Sequence, residues 1–437
     1  MIKVTKFGGS SVANAKQFAK VKHIIDSDPS RKFIVTSACG KESHEDHKVT
    51  DLLYLIQAHI KYGVSYESLF DMIVKKYKSI QEELHLHVDL DEEFLKIRKI
   101  IQNDDSPDYL VSRGEYLTGK LLAEYLGAKF VDAADVIMFH YDGTIDMKRT
   151  SEKLMQHVQG SEKILIPGFY GATPNGTIKV MSRGGSDITG AVLANVVDAD
   201  VYENWTDVSG FMVVDPRIIP NPISIPRITY SELREMSYMG ANVLHDDSVF
   251  PVREKNIPIN IRNTNNPSTP GTMIVSETKV DESTPNVTGI AGKKGFSIIN
   301  IEKAMMNSEI GFGKRVLSVL EREKLCFEHL PSGIDTMSVV IDTKALEDKK
   351  DDLIYSIKRE TLADSVTFDD DLALIAIVGV GMRKTTGTAA RVLKAIAEKN
   401  IIIRMLDQGS SELNIIVGVD AEYFEDALQA IYSEFFY

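Results

Sequence analysis

Two Gly-Gly turns in the sequence carry residue types that can hold an anion. The first is Lys6-Phe7-Gly8-Gly9-Ser10-Ser11, which follows an apolar strand pattern and precedes a helical pattern. Adjacent glycines let backbone N–H groups approach a phosphate because no Cβ atom stands in the way, and a following helix adds its positive N-terminal end. Lys6 can reach a transferring phosphoryl group as a point charge. Because GGSS is a common turn composition, this turn alone does not identify a site.

The second turn is Ser182-Arg183-Gly184-Gly185-Ser186-Asp187, which precedes a helical pattern over Ile188–Val196. Arg183 could pair with a carboxylate through two hydrogen bonds. Asp187 is either a site residue or an ordinary helix N-cap. Two Gly-Gly turns, each with an adjacent cation and each closing a strand, together indicate a site for an anionic ligand.

Two further segments can each be interpreted either as part of a binding site or as ordinary local structure. The first segment is Trp205-Thr206-Asp207-Val208-Ser209-Gly210, followed by Asp215-Pro216-Arg217. It is either an ordinary pair of turns or a nucleotide-binding loop, in which Asp207 would contact ribose or adenine and Arg217 a phosphate. Ser112-Arg113-Gly114-Glu115 is predicted to open an amphipathic helix. There Glu115 either favours the helix dipole or binds the ammonium group of a substrate.

Other motifs and the composition exclude several classes of function. The chain contains no Walker A pattern, and Lys384 occupies the third glycine position of the segment Gly379–Lys384, which otherwise resembles a dinucleotide fingerprint. His44-Glu45-Asp46-His47 is interpreted as a solvated turn rather than a metal site. A formal net charge of -13, from 50 Lys and Arg against 63 Asp and Glu, argues against nucleic acid as a partner.

The same composition predicts a location in the reducing cytoplasm. Hydrophobic residues make up 43% and charged residues 26% of the chain, as in soluble globular proteins. No apolar run approaches the roughly 20 residues of a transmembrane helix, and the first residues lack the apolar segment of a signal peptide. Cys39 and Cys326 are too few for a disulfide framework.

Strand and helix patterns alternate over the first 280 residues or so, which predicts a largely parallel sheet covered by helices on both faces. In such sheets ligands bind outside the carboxyl ends of the strands, so both Gly-Gly turns are expected at that edge. The strand patterns are Ile2–Phe7, Lys32–Ser37, Lys129–Asp132, Lys163–Pro167, Thr177–Met181 and Asp200–Trp205, and the helical patterns include Ala13–Ser27, Thr50–Tyr62 and Gly114–Leu126.

The C-terminal part contains an internal repeat after a polar segment, Asn263–Pro285, that predicts a domain boundary near residue 285. Gly311–Ile341 aligns with Gly387–Val417 without a gap. Each copy is predicted to form a helix, a strand, a tight turn at glycine and a second strand. Flanking patterns complete two βαββα units, namely strands Phe296–Ile301 and Leu372–Val380 and helices Lys344–Lys358 and Ala421–Phe435.

Taken together, the motifs resemble aspartate kinase of the monofunctional kind with a C-terminal pair of ACT domains. The order and spacing of that family are found in the motifs KFGGSS, SRGE, GFYG, RGGSD, TDVSG, DPR, GANVLH and the IRNT segment. The resemblance implies the amino-acid kinase fold, a three-layer αβα sandwich with a mainly parallel sheet, followed by two α+β ferredoxin-like ACT domains. It predicts a catalytic domain over residues 1–285 and ACT domains over 286–370 and 371–437, with a strand near Val287–Gly292 lent to the second.

The resemblance also implies a reaction and its regulation. The family uses ATP and Mg²⁺ to phosphorylate the β-carboxylate of L-aspartate, the first step towards lysine, threonine, methionine and isoleucine. The segment Pro331–Asp335 resembles forms that are inhibited by lysine, alone or together with threonine. A homodimer or dimer of dimers through the ACT domains is implied, with neither nucleic acid nor membrane as a partner.

The family's site residues carry over onto matching positions of this sequence. Lys6 with Gly8, Gly9 and Ser10 would hold the ATP phosphates, and Asp187 would orient Lys6. Arg183 would bind the aspartate α-carboxylate and Glu115 its α-ammonium group. The rest of the substrate pocket would be Ser37, Thr50, Phe169 and Ser186, the rest of the nucleotide site Thr206, Asp207, Asp215 and Arg217, and the effector contacts Ser308, Gly311, Phe312 and Asp335.

These roles agree with the chemistry that a carboxylate acceptor requires. A carboxylate is already a nucleophile at neutral pH, so catalysis needs positioning and charge neutralisation rather than a His or Cys base. One alternative is a related kinase acting on glutamate or N-acetylglutamate, although an ammonium partner such as Glu115 would be wasted on an N-acetylated substrate. Another is an inactive amino-acid sensor, which the intact Lys6, Arg183 and Asp187 argue against.

Overall fold

A computed structural model describes residues 1–43, 45–103, 107–158, 160, 162–182, 184–240, 250–276 and 284–437. The chain divides into two compact units. The first comprises Met1–Phe211, Ser224–Tyr230 and Val243–Thr278, and the second comprises Met212–Ile223, Ser231–Asn242 and Lys279–Tyr437. His44 and Arg183 lie outside the described residues, so the interpretations that rest on these two side chains stay predictions.

The first unit is built on a sheet of eight described strands in the order β3-β4-β2-β1-β7-β9-β10-β8. Neighbouring strands are parallel except β9 and β10, which are antiparallel. The predicted mainly parallel sheet is therefore confirmed. The strands are β1 Lys3–Phe7, β2 Arg31–Thr36, β3 Lys129–Phe130, β4 Ile164–Pro167, β7 Val201–Thr206, β8 Arg227–Thr229, β9 Ile259–Asn263 and β10 Thr272–Val275, with β5 Tyr170–Ala172 and β6 Ile178–Val180 forming a separate antiparallel pair.

Helices cover both faces of this sheet. Because side chains alternate along a strand, Phe7 and Trp205 face an apolar cluster shared with α1 and α5, whereas Lys6 and Asn204 face α8. Asn14 starts α1 by accepting a hydrogen bond from the backbone N–H of Gln17. The helices are α1 Ala15–Asp26, α2 Val49–Lys61, α3 Glu67–Glu83, α4 Leu90–Asn103, α5 Pro107–Leu126, α6 Ala133–Val136, α7 Met147–Met155, α8 Gly185–Val196 and α10 Phe250–Glu254.

The structure corrects the predicted start of α5. This helix begins at Pro107 rather than near Gly114, as suits a proline at the first helical position. Gly114 therefore lies inside the helix, and close packing explains why this position is a glycine: a Cβ atom there would be 2.9 Å from the Ala38 Cβ. Glu115 is therefore remote from the helix N-terminus, and its interpretation as a first-turn glutamate that favours the dipole is wrong.

The second unit contains an antiparallel sheet of five described strands in the order β12-β11-β13-β15-β14. Its two long strands, β11 and β13, have 14 residues each. Gly289–Lys294 of β11 pair with Ala373–Val378 of β13, and Phe296–Glu302 pair with β12. The elements are α9 Tyr230–Tyr238 (its first residue in the first unit), β11 Gly289–Glu302, α11 Phe312–Arg322, β12 Thr336–Asp342, α12 Lys350–Thr361, β13 Ser365–Val378, α13 Thr388–Ala397, β14 Ile403–Asp407, β15 Asn414–Asp420 and α14 Phe424–Phe436.

The repeat is present in this unit, but its two copies differ from the gapless alignment. Helices α11 and α13 begin 76 residues apart, whereas β12 and β15 begin 78 residues apart. A shift of two residues keeps every side chain on the same face of a strand, so the apolar pattern could not reveal it. The strand expected after α11 is reduced to isolated bridges at His329 and Ser332, where Pro331 supplies no N–H for a ladder.

In the described part of the chain, no helix combines the length and the apolar character that crossing a membrane would require.

Candidate active site

The carboxyl ends of neighbouring parallel strands bring the predicted motifs together at one edge of the first unit's sheet. In the order β4-β2-β1-β7, these strands end at Pro167, Thr36, Phe7 and Thr206. Backbone hydrogen bonds continue the ladder into the loops that follow. Gly8 N donates to Trp205 O at 2.9 Å, Ser37 N to Phe7 O at 3.0 Å and Gly168 N to Thr36 O at 2.9 Å.

A buried ion pair joins the two Gly-Gly motifs. Lys6 Nζ lies 2.5 Å from Asp187 Oδ1, and their side chains are 9% and 16% exposed. Asn204 Nδ2 donates to the same carboxylate oxygen at 2.8 Å, and Tyr202 Oη donates to the backbone carbonyl of Asp187 at 3.1 Å. Asp187 therefore lies in the first turn of α8 beside the lysine that it was predicted to orient. Sequence reasoning missed Asn204, although an Asn in a buried strand was a usable signal.

The first Gly-Gly turn is in close contact with the loop that follows β2. Gly40 N donates to Gly9 O at 2.9 Å. A Cβ atom on Gly40 would lie 2.5 Å from the Gly9 carbonyl carbon and 2.7 Å from Ser10 N, so only glycine fits there. Gly8, Gly9 and Ser10 are half-buried, and a Cβ atom on Gly8 would lie 3.6 Å from Lys6 Nζ. The turn and the lysine thus form a small cradle suited to phosphate, against which Gly40 packs.

Glu115 is a buried carboxylate near this cradle. The residue is 3% exposed, and burial raises the pKa of its carboxyl group to about 8, partly offset by the Ala38 backbone N–H and by the charges of Arg113 and Lys6. Among the described residues, none forms a hydrogen bond with Glu115 Oε2. The ionised form of this group is costly while one oxygen has no partner, and the ammonium group of a ligand would stabilise it.

The turn after β4 packs on the start of α8. Phe169 has a left-handed φ of 78°, and its N–H donates to Thr189 Oγ1 at 3.1 Å. A Cβ atom on Gly168 would lie 2.6 Å from the Ser186 Cβ. The structure thus brings Phe169 and Ser186 together. The role predicted for Arg183, three residues before Ser186, stays a prediction because Arg183 is outside the described part.

Ser37 and Thr50 lie at the two ends of the loop between β2 and α2. Ser37 is half-buried and follows the end of β2 directly, whereas Thr50 is half-buried in the first turn of α2. Val49 N donates to Cys39 O at 3.0 Å, which brings the start of α2 close to the end of β2.

The predicted nucleotide residues fall into both units. Thr206 ends β7, and its hydroxyl lies 3.2 Å from Asp207 Oδ1 on an exposed loop of the first unit. Asp215 and Arg217 belong to the second unit, where Arg217 Nη2 lies 2.6 Å from Asp215 Oδ2. Hydrogen bonds from Arg217 lower the pKa of Asp215. This arginine is 84% exposed along its side chain, so an anion could reach it.

The predicted effector residues cluster around the start of α11 in the second unit. Gly311 precedes the helix with a φ of 82°, and Phe312 is buried in the apolar core. Asp335 Oδ1 accepts a hydrogen bond from Met305 N at 2.7 Å, which fixes the loop containing the exposed Ser308. Phe312 and Asp335 therefore have structural partners of their own, and the effector roles stay predictions.

The described residues include no group of three or more His, Cys, Asp or Glu side chains around a common metal position.

Comparisons with known proteins agree with this architecture. The model of the amino acid kinase family matches residues 1–263, and an ACT domain model matches residues 375–435. Aspartokinase 3 of Bacillus subtilis is 40% identical over 453 residues, an alignment that covers 100% of this chain and 99% of the relative.

Solved structures extend this similarity to three dimensions. The crystal structure of Clostridium acetobutylicum aspartate kinase, described as an allosteric enzyme, is 50% identical with a TM-score of 0.92, over 99% of both chains. Escherichia coli aspartokinase III in complex with aspartate and ADP, in its R-state, is 26% identical with a TM-score of 0.75, over 100% of both chains. With the strand-end cradle, the family match and the full-length relative in agreement, this chain belongs to the aspartate kinases, phosphotransferases of the amino acid kinase family that carry ACT domains.

Proposed function

We propose that the chain phosphorylates the β-carboxylate of L-aspartate with ATP to give 4-phospho-L-aspartate, the first step of lysine, threonine, methionine and isoleucine biosynthesis. The observation that carries this assignment is the buried Glu115, with one carboxylate oxygen unpartnered among the described residues, in a region where the charge of Lys6 still acts on it. An amino-acid ammonium group suits such a carboxylate. An N-acetylated substrate would offer only a neutral amide N–H in place of that charge.

In the proposed mechanism, a β-carboxylate oxygen attacks the γ-phosphorus of ATP, and the bond from phosphorus to the ADP oxygen breaks. No proton has to be removed, because the attacking carboxylate is ionised at neutral pH. Lys6 offsets the charge of the transferring group, and Asp187 with Asn204 holds Lys6 in place. The turn Gly8–Ser10 receives the phosphates. The N–H groups of Gly9 and Ser10 are the proposed donors, because the Gly8 N–H already donates to Trp205 O. Mg²⁺ bound together with ATP would supply further charge neutralisation.

The acceptor is proposed to bind between Glu115 and the second Gly-Gly turn. Glu115 takes the α-ammonium group, and Arg183 takes the α-carboxylate. Ser37, Thr50, Phe169 and Ser186 complete the pocket. Thr206 and Asp207 of the first unit are proposed as further nucleotide contacts, and the nucleotide roles of Asp215 and Arg217 in the second unit are proposed separately. The support is the contact of Phe169 with α8 and the closeness of both loop ends, described above.

We further propose feedback inhibition by lysine, alone or together with threonine, through the ACT region of a cytoplasmic homodimer or dimer of dimers. The support is the match to an ACT domain and the segment Pro331–Asp335. Effector contacts are placed at Ser308, Gly311, Phe312 and Asp335. The proposed domains are 1–285, 286–370 and 371–437, the last two sharing the long strands β11 and β13.

The test is ADP release with ATP and Mg²⁺ as the acceptor is varied among L-aspartate, L-glutamate and N-acetyl-L-glutamate. Turnover with L-aspartate that falls on addition of lysine supports both proposals. Turnover with L-aspartate that neither lysine nor threonine changes refutes the effector assignment alone. Turnover only with one of the other two acceptors refutes the aspartate assignment.

A further inference from the structure

A buried lysine on α3, absent from the predicted site, binds the polar loop between β2 and α2. Lys76 Nζ lies 2.5 Å from Asp46 Oδ2 and donates to Gly40 O at 2.7 Å. The Lys76 side chain is only 10% exposed, and that of Asp46 is 29% exposed. Both acceptors belong to residues 37–48, here called the β2–α2 loop, of which residue 44 is outside the described part. One helix side chain therefore fixes this loop at two separate points.

Asp46 also ties the loop to itself. Its Oδ2 atom accepts from Glu42 N at 2.8 Å, and its Oδ1 atom accepts from His47 N at 2.7 Å. Charge-assisted hydrogen bonds of this kind are stronger than neutral ones. The loop thus has an internal carboxylate clip, and Lys76 fastens that clip to α3.

Gly40 connects Lys76 to the phosphate turn. Its carbonyl accepts from Lys76, while its own N–H donates to Gly9 O at 2.9 Å. A trans peptide is planar, so fixing the Gly9 carbonyl also fixes the direction of the Ser10 N–H on the opposite side of that plane. A displacement of Gly40 would therefore turn the donors assigned to the phosphates.

We propose that Lys76 is a positioning residue for phosphoryl transfer, which holds the β2–α2 loop against Gly9 so that the turn keeps its phosphate-binding orientation. The inference rests on the assignment of Gly8, Gly9 and Ser10 to the ATP phosphates under Proposed function. Lys76 acts through Gly40 and Asp46. A purely structural anchor would lower stability and leave the kinetics of the folded enzyme unchanged, whereas a positioning residue changes the kinetics.

The experiment replaces Lys76 in the full-length chain and measures ADP release with varied MgATP and varied L-aspartate. Lys76→Met is expected to lower kcat/KM for MgATP about tenfold or more, because small misplacements of reacting groups cost large factors in rate. Lys76→Arg is expected to recover part of the loss, since a guanidinium can still donate to Asp46 and Gly40. The matched control is Lys78→Met, which removes an ion pair to Asp91 of 2.7 Å from the same helix and is expected to leave the kinetics within about twofold.

A second variant keeps the proposal testable if Lys76→Met does not fold. Asp46→Ala removes the loop carboxylate that binds Lys76. This variant is also expected to lower kcat/KM for MgATP. In both variants trypsin should cut faster after the exposed Lys41 and Lys48. The loss in the double variant should be smaller than the product of the two single losses, since both variants remove the Lys76–Asp46 interaction.

The outcomes separate this inference from the proposed function. Wild-type kinetics with MgATP in Lys76→Met, or in Asp46→Ala if the first variant is unfolded, overturns the positioning role. If Lys6→Ala is inactive at the same time, the phosphoryl-transfer site stands without Lys76. If the wild-type chain releases no ADP with L-aspartate, the proposed function itself fails.

Discussion

Helix α8 in the first unit and helices α11 and α13 in the second begin in the same way. The two units differ in the residues that lie beside the start of the helix. Each helix follows a left-handed glycine, with φ of 80° at Gly184, 82° at Gly311 and 85° at Gly387. At α8 the first turn carries Asp187, paired with the buried Lys6. At α13 a Cβ atom on Gly387 would meet nothing within 4 Å.

Buried charge distinguishes the two units more clearly than glycine does. Among the described residues, all buried charged side chains except Glu232 belong to the first unit. Such groups are costly unless paired. Lys6 lies near the carboxyl end of β1 and pairs with Asp187, whereas Arg31 lies at the amino end of β2 and pairs with Glu203. A glycine before a helix reports local backbone geometry, whereas a buried charge beside it indicates a site.

The largest effect is expected from removing the charge that distinguishes α8. Lys6→Ala should lower kcat at least about a hundredfold, because it deletes a preorganised cation from the path of the phosphoryl group. The measurement is ADP release at saturating ATP and L-aspartate. Lys3→Ala is the matched control, since it removes a 2.7 Å ion pair to Asp28 from the same strand and should change kcat by less than about threefold. Equal losses of kcat in the two variants would show that Lys6 has no effect beyond that of another ion pair of β1.

A smaller effect is expected at the substrate ammonium site. Glu115→Gln should raise the KM for L-aspartate roughly tenfold to a hundredfold, since hydrogen bonds to charged groups contribute about 1.5–3 kcal/mol. Glu124→Gln on the same helix is the control, because Glu124 holds the backbone N–H groups of His87 and Val88. An unchanged KM for L-aspartate in Glu115→Gln would remove this residue from the substrate site.

The same carboxyl group predicts a pH dependence of stability. Its pKa is raised to about 8 in the folded chain from an ordinary 4.5, so between these values the folded state binds more protons than the unfolded state. The contribution of Glu115 to the free energy of unfolding therefore falls as pH rises from about 4.5 to 8. Thermal unfolding of the ligand-free protein across this range should show a smaller decline in Glu115→Gln than in wild type. Parallel profiles would contradict the raised pKa.

The meeting of the first unit's motifs at one edge of the sheet was largely predictable because the signals are local. Gly8, Gly9 and Asp187 occur within strand–turn–helix patterns, and parallel strands bring such turns to one edge whatever their distance in sequence. The start of α5 was missed because a glycine inside a helix, here Gly114, has weak helix propensity and its tight contact with Ala38 is long-range.

The contacts of Lys76 could not be read from the sequence for a similar reason. Its partner Gly40 is 36 residues away, and no periodic pattern encodes such a pairing. In the second unit, the gapless repeat concealed the two-residue shift at β12, because a strand's side-chain period is two.

The smallest expected effect tests whether the glycine before α13 is structural alone. Gly387→Ala places a side chain at a φ of 85° in open space, so the only cost is backbone strain of about 1–2 kcal/mol. The matched control is Gly409→Ala, where a Cβ atom also meets nothing within 4 Å but φ is outside the left-handed range. Gly409→Ala should be neutral or stabilising by about 0.4–1 kcal/mol, through the entropy of the unfolded chain. Chemical unfolding measures both, and kcat should match wild type in each. A fall in kcat for Gly387→Ala would show that the start of α13 affects catalysis, and the contrast between the two units would then no longer rest on buried charge alone.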